Sequence, residues 1–152
     1  MESSLHDEMA ASVADLTFRL LASCQKKEEH ISRSFHLSVA EFRVIRTFRT
    51  TAQRPVKEIL DELGVSSSSF SKIAAHLEAS QLVFRTVDPH DRRAVLMALT
   101  TQGMELSRRL EHRYLEIHEQ LLRGIPAELH ASVIMALESL FRSLDAWLNE
   151  TP

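Results

Sequence analysis

The sequence predicts a mostly α-helical protein that carries one small β-hairpin. Two observations predict it. Apolar residues recur at helical spacing through most of the 152 residues, and three glycines and four prolines leave few loops between helices. Residues 82–100 break that pattern. There, two short apolar runs with alternating apolar and β-branched residues, 82–87 and 94–99, flank a polar tip, 88–93, that holds an Asp-Pro pair. Such a pattern reads as a hairpin. Two short helices joined by a tight glycine turn precede it. The middle of the chain therefore reads as a winged helix-turn-helix core, and the helices from both termini as a helical dimerisation region.

The elements follow in order. A first helix, about residues 5–33, carries Met9, Val13, Leu16, Leu20 and Ile31 on one stripe. Ser38 can cap a second helix that turns Leu37, Val44, Ile45, Phe48 and Ala52 inward and Arg43, Arg46 and Arg49 outward. Pro55 suits the first turn of a third helix, 55–63, and Gly64 suits its left-handed cap. Val65 and Ser66 complete the turn into a fourth helix, 67–80. After the hairpin, Thr100 is a good N-cap, with Leu99 and Met104 at the spacing of a hydrophobic staple. A fifth helix carries Leu106, Leu110, Tyr114, Ile117 and Leu121 to about Arg123, where Gly124 can end it. Pro126 opens a last helix with Leu129, Val133, Leu137, Leu140, Leu144 and Trp147 on its stripe.

The stripes of the first, fifth and sixth helices run near a 3.5-residue period, as helix–helix interfaces do. Their economical partner is a second copy of the chain. The reading is one intertwined domain: a dimerisation helix at 1–36, the winged helix-turn-helix at 37–100 and dimerisation helices at 101–152.

Composition narrows the function classes. The hydrophobic fraction of 44% is ordinary for a soluble domain, and no charged leader or 18-residue apolar stretch predicts secretion or a membrane partner. Cys24 is the only cysteine, which excludes an internal disulfide and a multi-cysteine zinc site and fits a cytoplasmic location. Net charge is −3, yet residues 37–100 hold nine Lys and Arg against seven Asp and Glu. A mildly basic middle between acidic flanks fits a DNA-binding lobe on an acidic scaffold. No phosphate loop, nucleophile elbow or spaced ligand set is present, so the chain does not read as an enzyme and calls for no cofactor.

At 100° per residue, the fourth helix turns Phe70, Ile73, Ala74 and Leu77 to one side. The other side presents Ser68, Ser71, Lys72 and Ala75, with His76 and Ala79 at its margins. Small side chains let a helix sit deep in a major groove. Serines can bond phosphates or base edges, lysine can reach guanine or phosphate, and an alanine methyl can touch thymine. Ser66 and Ser67 belong to the same candidate surface. At the wing tip, Arg92 and Arg93 are candidates for the minor groove, with Asp91 fixing an arginine's rotamer. On an ordinary hairpin the same residues would be an exposed ion pair. The row Arg43, Arg46, Arg49 and Arg54 reads three ways: as phosphate contacts, as the lining of an anion cavity, or as a solvated face.

Eight histidines raise a metal reading, with Glu111, His112, Glu116 and Glu119 at helical spacing and His30 and His36 elsewhere. No His-Glu-x-x-His pattern supports it, and surface histidines are the simpler account. Cys24 reads as a helix-packing residue ahead of an oxidation sensor.

These features together resemble the MarR family of transcriptional regulators, over nearly the whole chain. The resemblance rests on Leu37-Ser38 with Phe48, on Leu60…Leu63-Gly64-Val65-Ser66, and on Leu77-Glu78…Leu82-Val83. Its most specific part is Asp88-Pro89-x-Asp91-Arg92-Arg93 followed by Leu99-Thr100-x-x-Gly103. The resemblance implies a homodimer whose fourth helices enter successive major grooves of double-stranded DNA, ~10 bp apart on a pseudo-palindrome. It implies that Arg93 is the wing's minor-groove arginine. It also implies a ligand-responsive repressor, with a small-molecule effector held between the dimerisation helices and the DNA-binding lobe.

Phe18, Phe35, His36, Phe42, Arg46 and Tyr114 are the candidate lining, and suit an aromatic or phenolic acid. The chain departs from the family pattern at Gln81, where glycine is usual and the turn into the wing is open to a different construction. Leu16-Thr17-Phe18 stands where peroxide-sensing members carry a cysteine. Arg43 stands where zinc-sensing members carry a histidine. A metal- or redox-responsive regulator of the same fold, and a winged-helix protein-interaction module without DNA binding, are the alternative readings.

Overall fold

The structure, a computed structural model, describes residues 2–150. Its elements are α1 (Glu2–Ser34), α2 (Val39–Arg46), β1 (Gln53–Pro55), α3 (Val56–Leu63), α4 (Ser67–Ala79), β2 (Val83–Val87), β3 (Val95–Leu99), α5 (Thr101–Arg123), a 3-10 turn (Ala127–Leu129) and α6 (His130–Glu150). The fold is mostly helical with a small antiparallel sheet, as the sequence predicts. None of its described helices is long and apolar enough to cross a membrane. The chain divides into two compact units, one ending at His112 and one beginning at Arg113.

The first unit is built around one apolar core. Phe42, Val44 and Ile45 of α2, Ile59 of α3, and Phe70, Ala74 and Leu77 of α4 are buried. Leu82 and Val83 join them from the first arm of the hairpin, and residues 96–99 from the second. Ile31 of α1 and Leu110 of α5 are buried too, so the inner parts of both long helices belong to this core.

The start of α2 is fixed by a reciprocal cap. The Ser38 hydroxyl accepts the Glu41 N–H at 3.2 Å, and the Glu41 carboxylate accepts the Ser38 N–H at 2.8 Å. Such caps stabilise by about 1 kcal/mol. Burial pushes the Glu41 carboxyl up, but the Ser38 bonds and His76 outweigh it and hold the group below the usual carboxylate range.

Several sequence expectations need correction. The sheet has three strands in the order β1-β3-β2, not two. β1 pairs Gln53, Arg54 and Pro55 with Ala98, Met97 and Leu96. Three residues ending in proline carry no alternation, so nothing marked them as a strand. Pro55 is consequently the N-cap of α3 rather than part of its first turn. Helix α2 ends at Arg46, so Phe48 is buried from the following turn, while Ala52 lies beyond it and is exposed. Leu37 and Ile73 are half-buried.

The second unit holds the rest of α5, the 3-10 turn and α6. His130 donates Nε2–H toward the carbonyls of Leu122 and Ile125, at 2.9 and 3.0 Å, and so caps the end of α5. Helix α6 has no buried residue, and Leu137, Leu140, Leu144 and Trp147 are all exposed.

Candidate nucleic-acid interface

Gly64 closes α3 in the left-handed conformation (φ +62°), with its N–H on the Leu60 carbonyl at 2.9 Å. Only glycine takes that conformation without strain. Ser66 then caps α4, its hydroxyl accepting the Ser69 N–H at 3.3 Å. This short connection sets α4 against the core through Phe70, Ala74 and Leu77.

The opposite side of α4 is solvent-exposed at Ser67, Ser68, Ser71, Lys72, Ala75 and His76. Ser71 donates its hydroxyl to the Ser67 carbonyl at 2.9 Å, which leaves the oxygen's lone pairs to accept. His76 lies 3.5 Å from the Glu41 carboxylate at the start of α2. Ser66 differs from the other candidates because its oxygen is occupied as a cap and lies 3.1 Å from Ser68 Oγ and 3.0 Å from Ser69 Oγ.

Helix α4 ends in a Schellman motif. The Leu82 N–H donates to Leu77 O at 3.0 Å, the Gln81 N–H donates to Glu78 O at 2.9 Å, and Leu77 and Leu82 are buried. Gln81 takes φ +58° at the position where glycine is usual, so the turn keeps left-handed geometry with a glutamine in it. The conformation costs a side-chain-bearing residue about 1–2 kcal/mol. His36 ends α1 in the same way, also at φ +58°.

The hairpin pairs Val83 with Leu99 through Val87 with Val95. Its base is locked to the start of α5. Thr100 donates its hydroxyl to Gln81 O at 2.6 Å, its N–H to Leu82 O at 3.0 Å, and accepts the Gly103 N–H at 3.0 Å. A Cβ on Gly103 would fall 1.9 Å from the Leu82 carbonyl oxygen, which explains why this helix turn needs glycine.

At the tip, Asp88 accepts the His90 N–H at 2.7 Å and Asp91 accepts the Arg93 N–H at 3.0 Å. Asp91 therefore shapes the turn's backbone rather than an arginine rotamer, since no arginine side chain pairs with its carboxylate among the described residues. Arg92 and Arg93 are exposed and, among the described residues, meet no carboxylate within 4.0 Å.

The arginine row behaves oppositely. Arg43 pairs with Glu28 at 2.7 Å, Arg46 with Glu111 at 3.7 Å and Arg49 with Glu62 at 3.3 Å. Arg54 binds Glu62 and donates to the Thr47 carbonyl at 3.0 Å. Hydrogen bonding from Arg54 is the main reason that the Glu62 carboxyl sits below the usual range.

Within the first unit, the candidate effector residues divide between two grooves and the exposed surface of α1. Phe35 and His36 line a groove of about 360 Å³ with Leu82, Leu106 and Arg109. Phe42 and Arg46 line a different groove, of about 300 Å³, with Arg43 and Arg49. Phe42 forms the buried floor of that groove, Phe18 is 74% exposed on α1, and Tyr114 belongs to the second unit, where it packs on His118. Arg109, its guanidinium 5.5 Å from the Phe35 ring centroid, was not foreseen, since nothing in its sequence neighbourhood points to Phe35. The bidentate Glu78–Arg85 pair was also missed, although Glu78 stands in a motif quoted for the resemblance. Among the described residues, no three His, Cys, Asp or Glu side chains converge on a metal-sized site. Cys24 is half-buried on α1.

A helix-turn-helix whose second helix presents small polar side chains, followed at once by a hairpin with an arginine tip, defines a winged helix-turn-helix protein. Comparison with known proteins narrows the class. The MarR-family model matches residues 36–94. The HTH-type transcriptional regulator YxaD of Bacillus subtilis (strain 168) is 31% identical over 103 residues, covering 68% of each chain. Among solved structures, Streptococcus pneumoniae FabT in complex with DNA has a TM-score of 0.72 at 19% identity, over 93% of this chain and 99% of that one. The S. aureus MepR–DNA complex has the same TM-score at 19% identity, over 86% and 97%. The chain belongs to the MarR family of transcriptional regulators, a family of non-enzymatic proteins.

Proposed function

We propose that this protein is a sequence-specific DNA-binding repressor that works as a homodimer on a pseudo-palindromic operator and releases it when a small molecule binds. The observation that carries the reading is the pairing, on one compact unit, of the exposed α4 face (Ser67, Ser68, Ser71, Lys72, Ala75 and His76) with the unpaired Arg92 and Arg93 at the wing tip. Small residues admit the major groove, and the wing arginines suit phosphate or the minor groove. The DNA complexes of FabT and MepR support the same use of the fold.

Two uncovered apolar surfaces support the dimer. Leu5, Met9, Val13, Leu16 and Leu20 of α1 are exposed in the single chain, as is the apolar side of α6. Exposed faces of this extent mark interfaces, and their 3.5-residue spacing suits helix partners.

For the effector, the groove under Phe35 offers an aromatic wall, the Leu82 and Leu106 side chains and the Arg109 cation, a set that suits an aromatic carboxylate. Such a ligand releases DNA only by binding the weakly DNA-binding state more tightly.

The test is selection of genomic fragments by the purified protein at two salt concentrations. An enriched inverted repeat, bound less tightly at high salt, is the expected result. A folded dimer that enriches nothing would leave the interaction-module reading in its place. A panel of aromatic carboxylic acids, scored for release of the enriched duplex, tests the effector class.

A further inference from the structure

The hairpin's attachment to the rest of the unit is uneven. Its base is held by Thr100, by Gly103 and by β1, which reaches only residues 96–98 of β3. β2 is an edge strand throughout, and beyond the reach of β1 residues 87–95 form a two-stranded ribbon. An isolated ribbon of this kind is marginally ordered and twists readily. Arg85 sits inside the three-stranded part, opposite Met97, two residues before the ribbon leaves the body. Its Nε and Nη2 meet the two carboxylate oxygens of Glu78 on α4 at 2.9 and 2.7 Å. Among the described residues, no other ion pair joins α4 to the hairpin. A bidentate fork fixes an angle as well as a distance, while a partly exposed ion pair adds little to overall stability. The pair is therefore suited to orientation.

We propose that Glu78 and Arg85 are positioning residues that lock the wing to α4, so that the α4 face and the arginines at the tip engage DNA as one rigid body. This rests on the DNA-binding reading above. The competing use of Arg85 is a direct phosphate contact, and the two uses differ in sign. Glu78→Gln removes a negative charge near DNA and releases Arg85. If Arg85 is a phosphate contact, that substitution tightens binding or leaves it unchanged. If the fork positions the wing, it weakens binding.

The experiment measures fluorescence anisotropy of the full-length protein on the enriched genomic duplex at fixed salt. Glu78→Gln, Arg93→Ala and the double substitution are compared with the unsubstituted chain. Each single change is expected to weaken binding roughly tenfold. The double change is expected to weaken it by about the same factor rather than about a hundredfold, because a misplaced wing no longer profits from Arg93. Arg85→Lys, which keeps the charge but cannot fork, should follow Glu78→Gln. Exchange of the pair, Glu78→Arg with Arg85→Glu, should restore binding. The melting temperature of Glu78→Gln should stay within about 2 °C of the unsubstituted chain. Unchanged or tighter binding by Glu78→Gln, or losses that multiply with Arg93→Ala, overturns the positioning role alone. Absence of salt-dependent binding by the unsubstituted protein overturns the DNA-binding reading and this role with it.

Discussion

Two groups of arginines in the same unit have opposite fates. Arg43, Arg46, Arg49 and Arg54, on α2 and around β1, each face a glutamate, from Glu28, Glu111 or Glu62. Arg92 and Arg93, at the wing tip, face none among the described residues, and the tip carboxylates of Asp88 and Asp91 accept backbone N–H groups instead. The first group is neutralised in place and braces helices. The second is left without an internal counter-charge among the described residues. A charge count over residues 37–100 mixes the two and sees only a small positive excess. What matters for nucleic acid is which cations lack an internal partner.

The largest test of that contrast is at the tip. Arg93→Ala should weaken operator binding by about 1–3 kcal/mol and lower the salt slope by about one, with the dimer intact by sedimentation. Arg43→Ala, at an already paired cation, should change affinity less than about twofold on the same duplex. Equal losses from both would show that pairing does not decide which arginines meet DNA.

Within the braced group, Arg54→Ala removes a bond to the Thr47 carbonyl and the partner of Glu62. It should cost about 1–2 kcal/mol in urea unfolding and leave the salt slope of DNA binding unchanged.

The same pair has a pH signature. The Glu62 carboxyl is held low in the folded state, chiefly by hydrogen bonding from Arg54. Its contribution is therefore complete above the unfolded pKa and is lost as pH falls through the lower folded value. The urea midpoint should drop on acidification below about pH 4, and drop less in Arg54→Ala. The smallest effect is expected between the two groups, at the foot of the wing. Gln81→Gly should raise stability by about 0.5–1 kcal/mol, read as a higher urea midpoint, because it removes left-handed strain.

Much of this molecule was legible in its sequence, for identifiable reasons. Helices α3 and α4, the cap at Ser38, the Gly64 turn and the hairpin are local features, and each is specified by residues within a few positions of it. The same is true of the exposed α4 face, which follows from 3.6-residue periodicity once Phe70, Ala74 and Leu77 are turned inward. Strand β1 was not legible, since a three-residue strand ending in proline is made by its partner, not by its own pattern. The partners of the arginines were not legible either. Arg43 meets Glu28 and Arg46 meets Glu111 across long sequence separations. The six effector candidates were chosen by residue type, and the packing that buried Phe42 and set Arg109 over Phe35 is a tertiary outcome.

The close approach at Gly103 has a consequence for how such a protein diversifies. The wing is seated there by the absence of an atom, since any other side chain would intrude on the Leu82 carbonyl. The seating does not depend on what the outer face of α4 carries. Ser68, Ser71, Lys72 and Ala75 are exposed on α4 and make no bond to that joint, so exchanging them one at a time leaves the seating intact. On the proposed use of α4, a lineage built on this chain could change the DNA text it reads through single substitutions there, while Gly103 stays closed to mutation.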